Sequence, residues 1–189
     1  MINQIETLLI RQFEDDSHRL KHIYGVRSVA VELARIHHAN VYEVEVASLL
    51  HDVMKNASYE AQLDVIKDPV VIDYFKDVPV AYHAAAGYYY AKDNLGITNP
   101  TILEAIFYHM WGKIDMSLET MIVCVSDFCE PNRIYPKAKE IYKLAKVDIE
   151  LAFIEAIGST IDYLRKHGVE PFKDQLKIYE YYTKKKGLV

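Results

Sequence analysis

Apolar residues recur at three- and four-residue intervals along nearly the whole chain, and no stretch of strict alternation interrupts them. Ile2, Ile5, Leu8, Leu9 and Phe13 predict a first helix over Met1 to Glu14. Asp15-Asp16-Ser17 is a capping cluster, and a second helix follows to about His37 with Leu20, Ile23, Val26, Ala30, Leu33 and Ala34 inward. Asn40 caps a third helix through Lys55, carrying Val46, Leu49, Leu50 and Val53 on its inner side. Ser58 opens a short helix and Asp68-Pro69 another near Val70 to Phe75. Pro79 starts a helix to about Asn94 that stops at Gly96, and Asn99-Pro100 starts one that closes near His109. Ser117 begins a very apolar helix reaching Asp127. Lys137 to His167 reads as helical with a break near Lys146-Val147, and Pro171 begins a basic terminal helix. The pattern predicts an all-α fold, a single-domain helical bundle over residues 1–189.

Composition narrows the picture. With 51% apolar residues in 189, the chain can bury a core without disulfides. A net charge of −5 argues against a nucleic-acid binder that gains affinity by neutralising many phosphates, while leaving room for a local basic pocket. No window approaches a membrane span, and the first residues lack a basic leader followed by an apolar run, so the chain reads as cytoplasmic. Cys124 and Cys129 have neither CxxC nor zinc-ligand spacing and read as buried, reduced thiols.

The chemistry starts at His51-Asp52, inside the apolar stretch VASLLHDVMKN. A carboxylate that loses water without gaining a partner is penalised by several kcal/mol. A metal ion supplies the missing positive charge and uses the imidazole lone pair as well. His22, His83, His109 and Asp127 lie near predicted helix ends or on apolar helix faces. Four histidines and two carboxylates on five helices can converge in a bundle core. Any one of these histidines alone is more ordinarily a hydrogen-bonded core residue; their joint occurrence points to metal. Imidazole with carboxylate suits iron, manganese, cobalt or zinc better than magnesium or calcium.

The order H…HD…H…H…D resembles the HD-domain metal-dependent phosphohydrolases. The segments HRLKHIYGVRSVAVELA, ASLLHDVMKN, YHAAAGYYYAKDNLGI and LEAIFYHMWGKIDMSLETMIVCVSDFCEPNR resemble the branch that hydrolyses diadenosine tetraphosphate symmetrically. The EPNR turn and His109-Met110-Trp111-Gly112 ahead of Met116-Ser117 are the more specific part of the likeness. The resemblance implies an HD-type bundle with a dinuclear metal site, its ligand core at about 17–135 and C-terminal helices at about 137–187. It implies one ion on His22, His51, Asp52 and Asp127 and another on His83 and His109, with Asp52 bridging. Iron is the ion it favours, with manganese or cobalt as alternatives. The implied reaction is attack of a metal-bound hydroxide on the polyphosphate bridge, with two ADP as products. The implied partner is a dinucleoside polyphosphate, with no nucleic acid and no membrane, and a homodimer is compatible.

Catalysis is assigned to Asp52, Lys55 and Arg133, and substrate contact to Arg19, Lys55, His109, Trp111 and Arg133. Lys55 shares a predicted helix side with His51, Arg133 follows the last ligand, and Arg19 lies three residues before His22. Arg19 reads equally as a solvated cation; Trp111 can stack on adenine, although a lone tryptophan is more often core. The chain departs from the family where threonine usually follows the fourth histidine (Met110 here) and where alanine is common (Ser126). Glu130 is a candidate to orient Arg133 or a ligand histidine. His37, His38 and His167 read as surface residues, and His18 equally as a surface residue or as one that orients a ligand or donates to substrate. Alternatives are an HD-type phosphohydrolase of another nucleotide, such as a nucleoside monophosphate or guanosine alarmone, and a non-catalytic nucleotide sensor.

Overall fold

The computed structural model describes residues 1–188 as eleven α-helices, with no strand among them. They are α1 (Ile2–Gln12), α2 (Ser17–Ile36), α3 (Val41–Leu50), α4 (Tyr59–Ile66), α5 (Pro69–Phe75) and α6 (Tyr82–Asp93). Then come α7 (Pro100–Tyr108), α8 (Leu118–Cys129), α9 (Pro136–Ala145), α10 (Ile149–Lys166) and α11 (Lys173–Lys185). Side-chain caps fix most starts. Asp16 accepts from the Arg19 amide at 2.8 Å, Asn99 from Thr101 at 2.9 Å, Ser117 from Thr120 at 3.1 Å and Asp148 from Leu151 at 3.0 Å. Each cap satisfies an amide that the helix start would otherwise leave unpaired, worth about 1 kcal/mol.

α2, α3, α7 and α8 pack on one another and form the centre. Ile23, Val26, Ala30 and Leu33 of α2 meet a core that includes Leu49 and Leu50 of α3, Ile106 of α7 and Ile122 of α8, all fully buried. Burying one such leucine or isoleucine contributes roughly 1.5–3 kcal/mol. α9 and α10 pack on each other and against α8, and α6 lies along α7.

Several element boundaries differ from the periodicity. α3 stops at Leu50, and His51-Asp52 lie just beyond it, where the Val53 amide bonds Leu50 O at 3.1 Å and the Lys55 amide bonds Asp52 O at 2.9 Å. The cause is local: His51 Nδ1 takes the Ser48 carbonyl at 2.6 Å, diverting it from the helical ladder. Lys55 therefore reaches the site from a turn, not from a helix face. Asn56 ties this turn to Asp16 at 2.8 Å. α8 runs two residues past Asp127, the stretch from Pro79 begins as a 3₁₀ turn before α6, and α11 starts at Lys173 rather than Pro171.

Candidate metal centre and its cavity

His22 projects from the middle of α2, His51 and His109 sit just past α3 and α7, and His83 lies in the first turn of α6. All four rings and Asp52 are buried. Three histidines are oriented by the carbonyl three residues back in the chain. His51 Nδ1 donates to Ser48 O at 2.6 Å, His83 Nδ1 to Val80 O at 2.6 Å, and His109 Nδ1 to Ile106 O at 2.9 Å. His22 instead directs Nδ1 to the Glu130 carboxylate at 3.2 Å.

A ring nitrogen donating to oxygen carries the proton, so the Nε2 atoms are left as lone pairs. Those lone pairs converge. His51 Nε2 lies 3.3 Å from His22 Nε2, and His83 Nε2 lies 3.2 Å from His109 Nε2. Asp52 spans both pairs: Oδ2 is 3.6 Å from each of His22 and His51, and Oδ1 is 3.2 Å from His83 and 3.8 Å from His109. Asp127 Oδ1 adds a contact to His22 Nε2 at 3.2 Å. Two groups of donors, His22/His51/Asp52 and Asp52/His83/His109, are each close enough to share an ion. Facing lone pairs with no proton between them are repulsive unless a cation intervenes, and nitrogen with carboxylate oxygen suits a divalent transition metal. The residues fit such an ion.

Electrostatics agree at His51, His109 and Asp52. Burial pushes the His51 imidazolium down, and burial with the neighbouring His51 and His83 pushes His109 down to about 3. Burial alone would raise the Asp52 carboxyl, but His51, His83 and His109 hold it well below the ordinary value. Burial also opposes protonation of His22, yet Asp127 outweighs it and raises that ring.

Charged side chains edge the cluster. Arg19 Nη1 lies 2.5 Å from Asp52 Oδ2, while its Nε is buried with no hydrogen-bond partner. Arg133 donates from Nη2 to Asp127 Oδ1 at 2.7 Å and from Nε to Asp127 O at 3.0 Å. Lys55 Nζ lies 3.3 Å from His83 Nδ1, but that nitrogen already donates to Val80 O, so the ammonium is a neighbour rather than a partner. Burial pushes the Lys55 ammonium down, partly offset by Asp52.

These groups form one end of a cavity of about 700 Å³. Arg19, Asp52, Lys55, His83, His109, Asp127 and Arg133 line that end, with Phe128 and Tyr135 beside Asp127 and Arg133; Lys137 of α9 and Phe153, Ile157, Thr160 and Tyr163 of α10 line the rest. The far wall, from α9 and α10, was invisible in the sequence because it is an ordinary amphipathic helix face; Thr160 and Ser159 among its apolar residues were the only signal. Trp111 also lines the cavity, from within an aromatic cluster with ring centroids 5.2 Å from Phe172 and 6.2 Å from Phe75. Among the remaining histidines, His18, His38 and His167 are exposed and His37 Nε2 bonds Ala145 O at 2.6 Å, away from the cluster. Both cysteines are buried and free. No helix among the described residues is long and apolar enough to cross a membrane.

Imidazoles and carboxylates gathered at the centre of an all-helical bundle, opening on a cation-edged cavity, define a metal-dependent hydrolase. Residues 19–132 match the HD domain, and the chain belongs to that family. It is similar to the symmetrical bis(5'-nucleosyl)-tetraphosphatase of Bacillus subtilis, 31% identical over 95% of this chain and 97% of the relative. The protein of the same name from Halalkalibacterium halodurans is 30% identical over 86% of this chain and 87% of the relative. The crystal structure of a predicted HD superfamily hydrolase involved in NAD metabolism from Clostridium acetobutylicum superposes with a TM-score of 0.91, at 26% identity and 98% coverage of both chains.

Proposed function

We propose that the enzyme hydrolyses diadenosine tetraphosphate symmetrically, giving two molecules of ADP. The cavity carries this reading. Its metal-binding end is rich in cations for phosphate, and its opposite wall is aromatic and hydroxyl-bearing, as a nucleoside requires. The volume of about 700 Å³ is far more than a lone phosphate needs. The names of the two relatives support the same substrate.

In this reading His22, His51, Asp52 and Asp127 would hold one divalent ion, and Asp52, His83 and His109 would hold a second. Iron is the preferred ion, with manganese or cobalt as alternatives. When bound, such ions polarise phosphoryl oxygen and lower the pKa of water from 15.7 toward ~7. The protein's own task is alignment and charge neutralisation, which is most of what phosphoryl transfer needs. Arg133 and Lys55 face the bridge phosphates from opposite sides of the cluster. Arg19, anchored on Asp52, adds a third cation at the cavity wall. Asp52 and Asp127 oppose the arginines and keep these cations in place between turnovers.

The test is an anaerobic assay with ferrous iron and diadenosine tetraphosphate, followed by separation of the nucleotides. ADP as sole product is expected. ATP with AMP would mean attack at a different phosphorus, and no turnover by metal-loaded protein would overturn the reading.

A further inference from the structure

The four buried imidazoles are not oriented alike, and the exception is instructive. His51 and His109 sit just past helix ends and His83 next to a 3₁₀ turn, where backbone carbonyls are available to hold Nδ1. His22 lies six residues into a twenty-residue helix, where the carbonyls behind it belong to the helical ladder. It needs an acceptor from elsewhere, and Glu130 supplies one.

The surroundings of Glu130 are arranged for that contact. The side chain is 2% exposed. Its Oε1 faces His22 Nδ1, while Oε2 accepts from the Asn132 amide at 2.7 Å and from Asn132 Nδ2 at 2.8 Å. Asn132 Nδ2 also reaches Lys21 O at 3.3 Å, tying the turn to α2. The carboxylate lies directly over Gly25, where a Cβ would stand 2.3 Å from Oε2. A mid-helix glycine costs about 1 kcal/mol relative to alanine. Here it is the residue that leaves the carboxylate room.

We infer that Glu130 is a positioning residue that fixes His22 as the Nδ1–H tautomer and places a negative charge behind that ring, so that the His22/His51 end takes a divalent ion more tightly than the His83/His109 end. Asp127 adds to the same asymmetry, since it too contacts only His22 among the four rings. Arg19 and Arg133 offset part of that charge at the first end, while at the second end Lys55 is a cation with no carboxylate beyond the shared Asp52. The inference rests on the metal reading of the cluster, not on the identity of the nucleotide.

The test is calorimetric titration of metal-free protein with Mn(II), with thermal unfolding of the same samples. Wild-type protein is expected to bind two ions in two classes. Glu130→Gln keeps an acceptor for His22 but removes the charge, and should weaken the tighter class by about 10–100-fold while leaving the other within about threefold. Gly25→Ala, which displaces the carboxylate without altering it, should weaken the same class. Unchanged binding by both variants overturns the inference, as does equal weakening of both classes, which would mark a general structural role. Wild-type protein that binds no ion would instead overturn the metal reading, and the inference with it.

Discussion

The two ends of the cavity are built by different physics. At one end, charged groups are held by short, directional contacts: imidazoles locked by carbonyls, Asp52 between four rings, Arg133 on Asp127. At the other, α10 presents Phe153, Ile157 and Thr160, held by packing and helix geometry. The residues matched to the HD domain end at 132, so that second wall lies beyond them. On the proposed function, the comparison places reaction chemistry and choice of substrate in separable parts of the chain.

The sharpest way to break this division is Asp52→Ala. Among the described residues Asp52 is the one carboxylate within 4 Å of all four rings, so metal content should fall at both ends and turnover should drop by at least about 10³-fold. Retained metal and retained rate would refute the assignment of the centre. Arg133→Ala removes a phosphate-facing cation but no candidate ligand. A kcat loss of roughly 10²–10³-fold with metal content preserved is expected, the scale found when one charge-stabilising donor is removed. Elemental analysis beside steady-state kinetics separates the two cases.

Thr160→Trp probes the opposite wall. The Thr160 hydroxyl bonds only its own helix at Ala156 O, so its loss is cheap, while an indole would fill the cavity. KM for diadenosine tetraphosphate should rise about tenfold with kcat within a factor of two, because only binding shared by ground and transition state is lost. A kcat collapse instead would show that α10 takes part in the chemistry.

The smallest effect is on pH-dependent stability of metal-free protein. His51 and His109 have lowered values in the folded state, so below the ordinary histidine value of ~6.5 the unfolded chain binds more protons. Their penalty is absent above ~6.5 and grows as pH falls toward about 3, the folded value for His109. His22 is raised and works the opposite way, gaining stability below ~6.5 and losing it as pH rises through its folded value. Two against one, stability should decline on acidification, and His109→Asn should flatten that slope in denaturant titrations between pH 7 and 4.

Much of this was legible in the chain. The caps at Asp16, Asn40, Ser58, Asp68, Asn99 and Ser117 all act as such. His22, His51, Asp52, His83 and His109 are brought together, with Asp127 beside His22. The end of α3 was not legible, because apolar periodicity continues through Val53 while the break depends on an imidazole capturing a carbonyl. Glu130 was visible as a candidate, but its choice of His22 over Arg133 required the fold: it is 3.2 Å from the one and 4.0 Å from the other. Trp111 is buried as core residues are, although it also borders the cavity.

The convergent lone pairs have a consequence for the life of the protein in the cell. Without an ion, the fold brings like-polarity nitrogens together in its interior, so the empty chain opens more easily than its hydrophobic core alone would predict. An ion present at a hundred times its dissociation constant adds about 2.7 kcal/mol to folding, and a second adds to that. At such margins the unfolded fraction, and with it exposure to proteases, changes by about a hundredfold for the first ion alone. On the metal reading proposed above, abundance of this protein should therefore follow metal supply, falling in starved cells before any change in its synthesis.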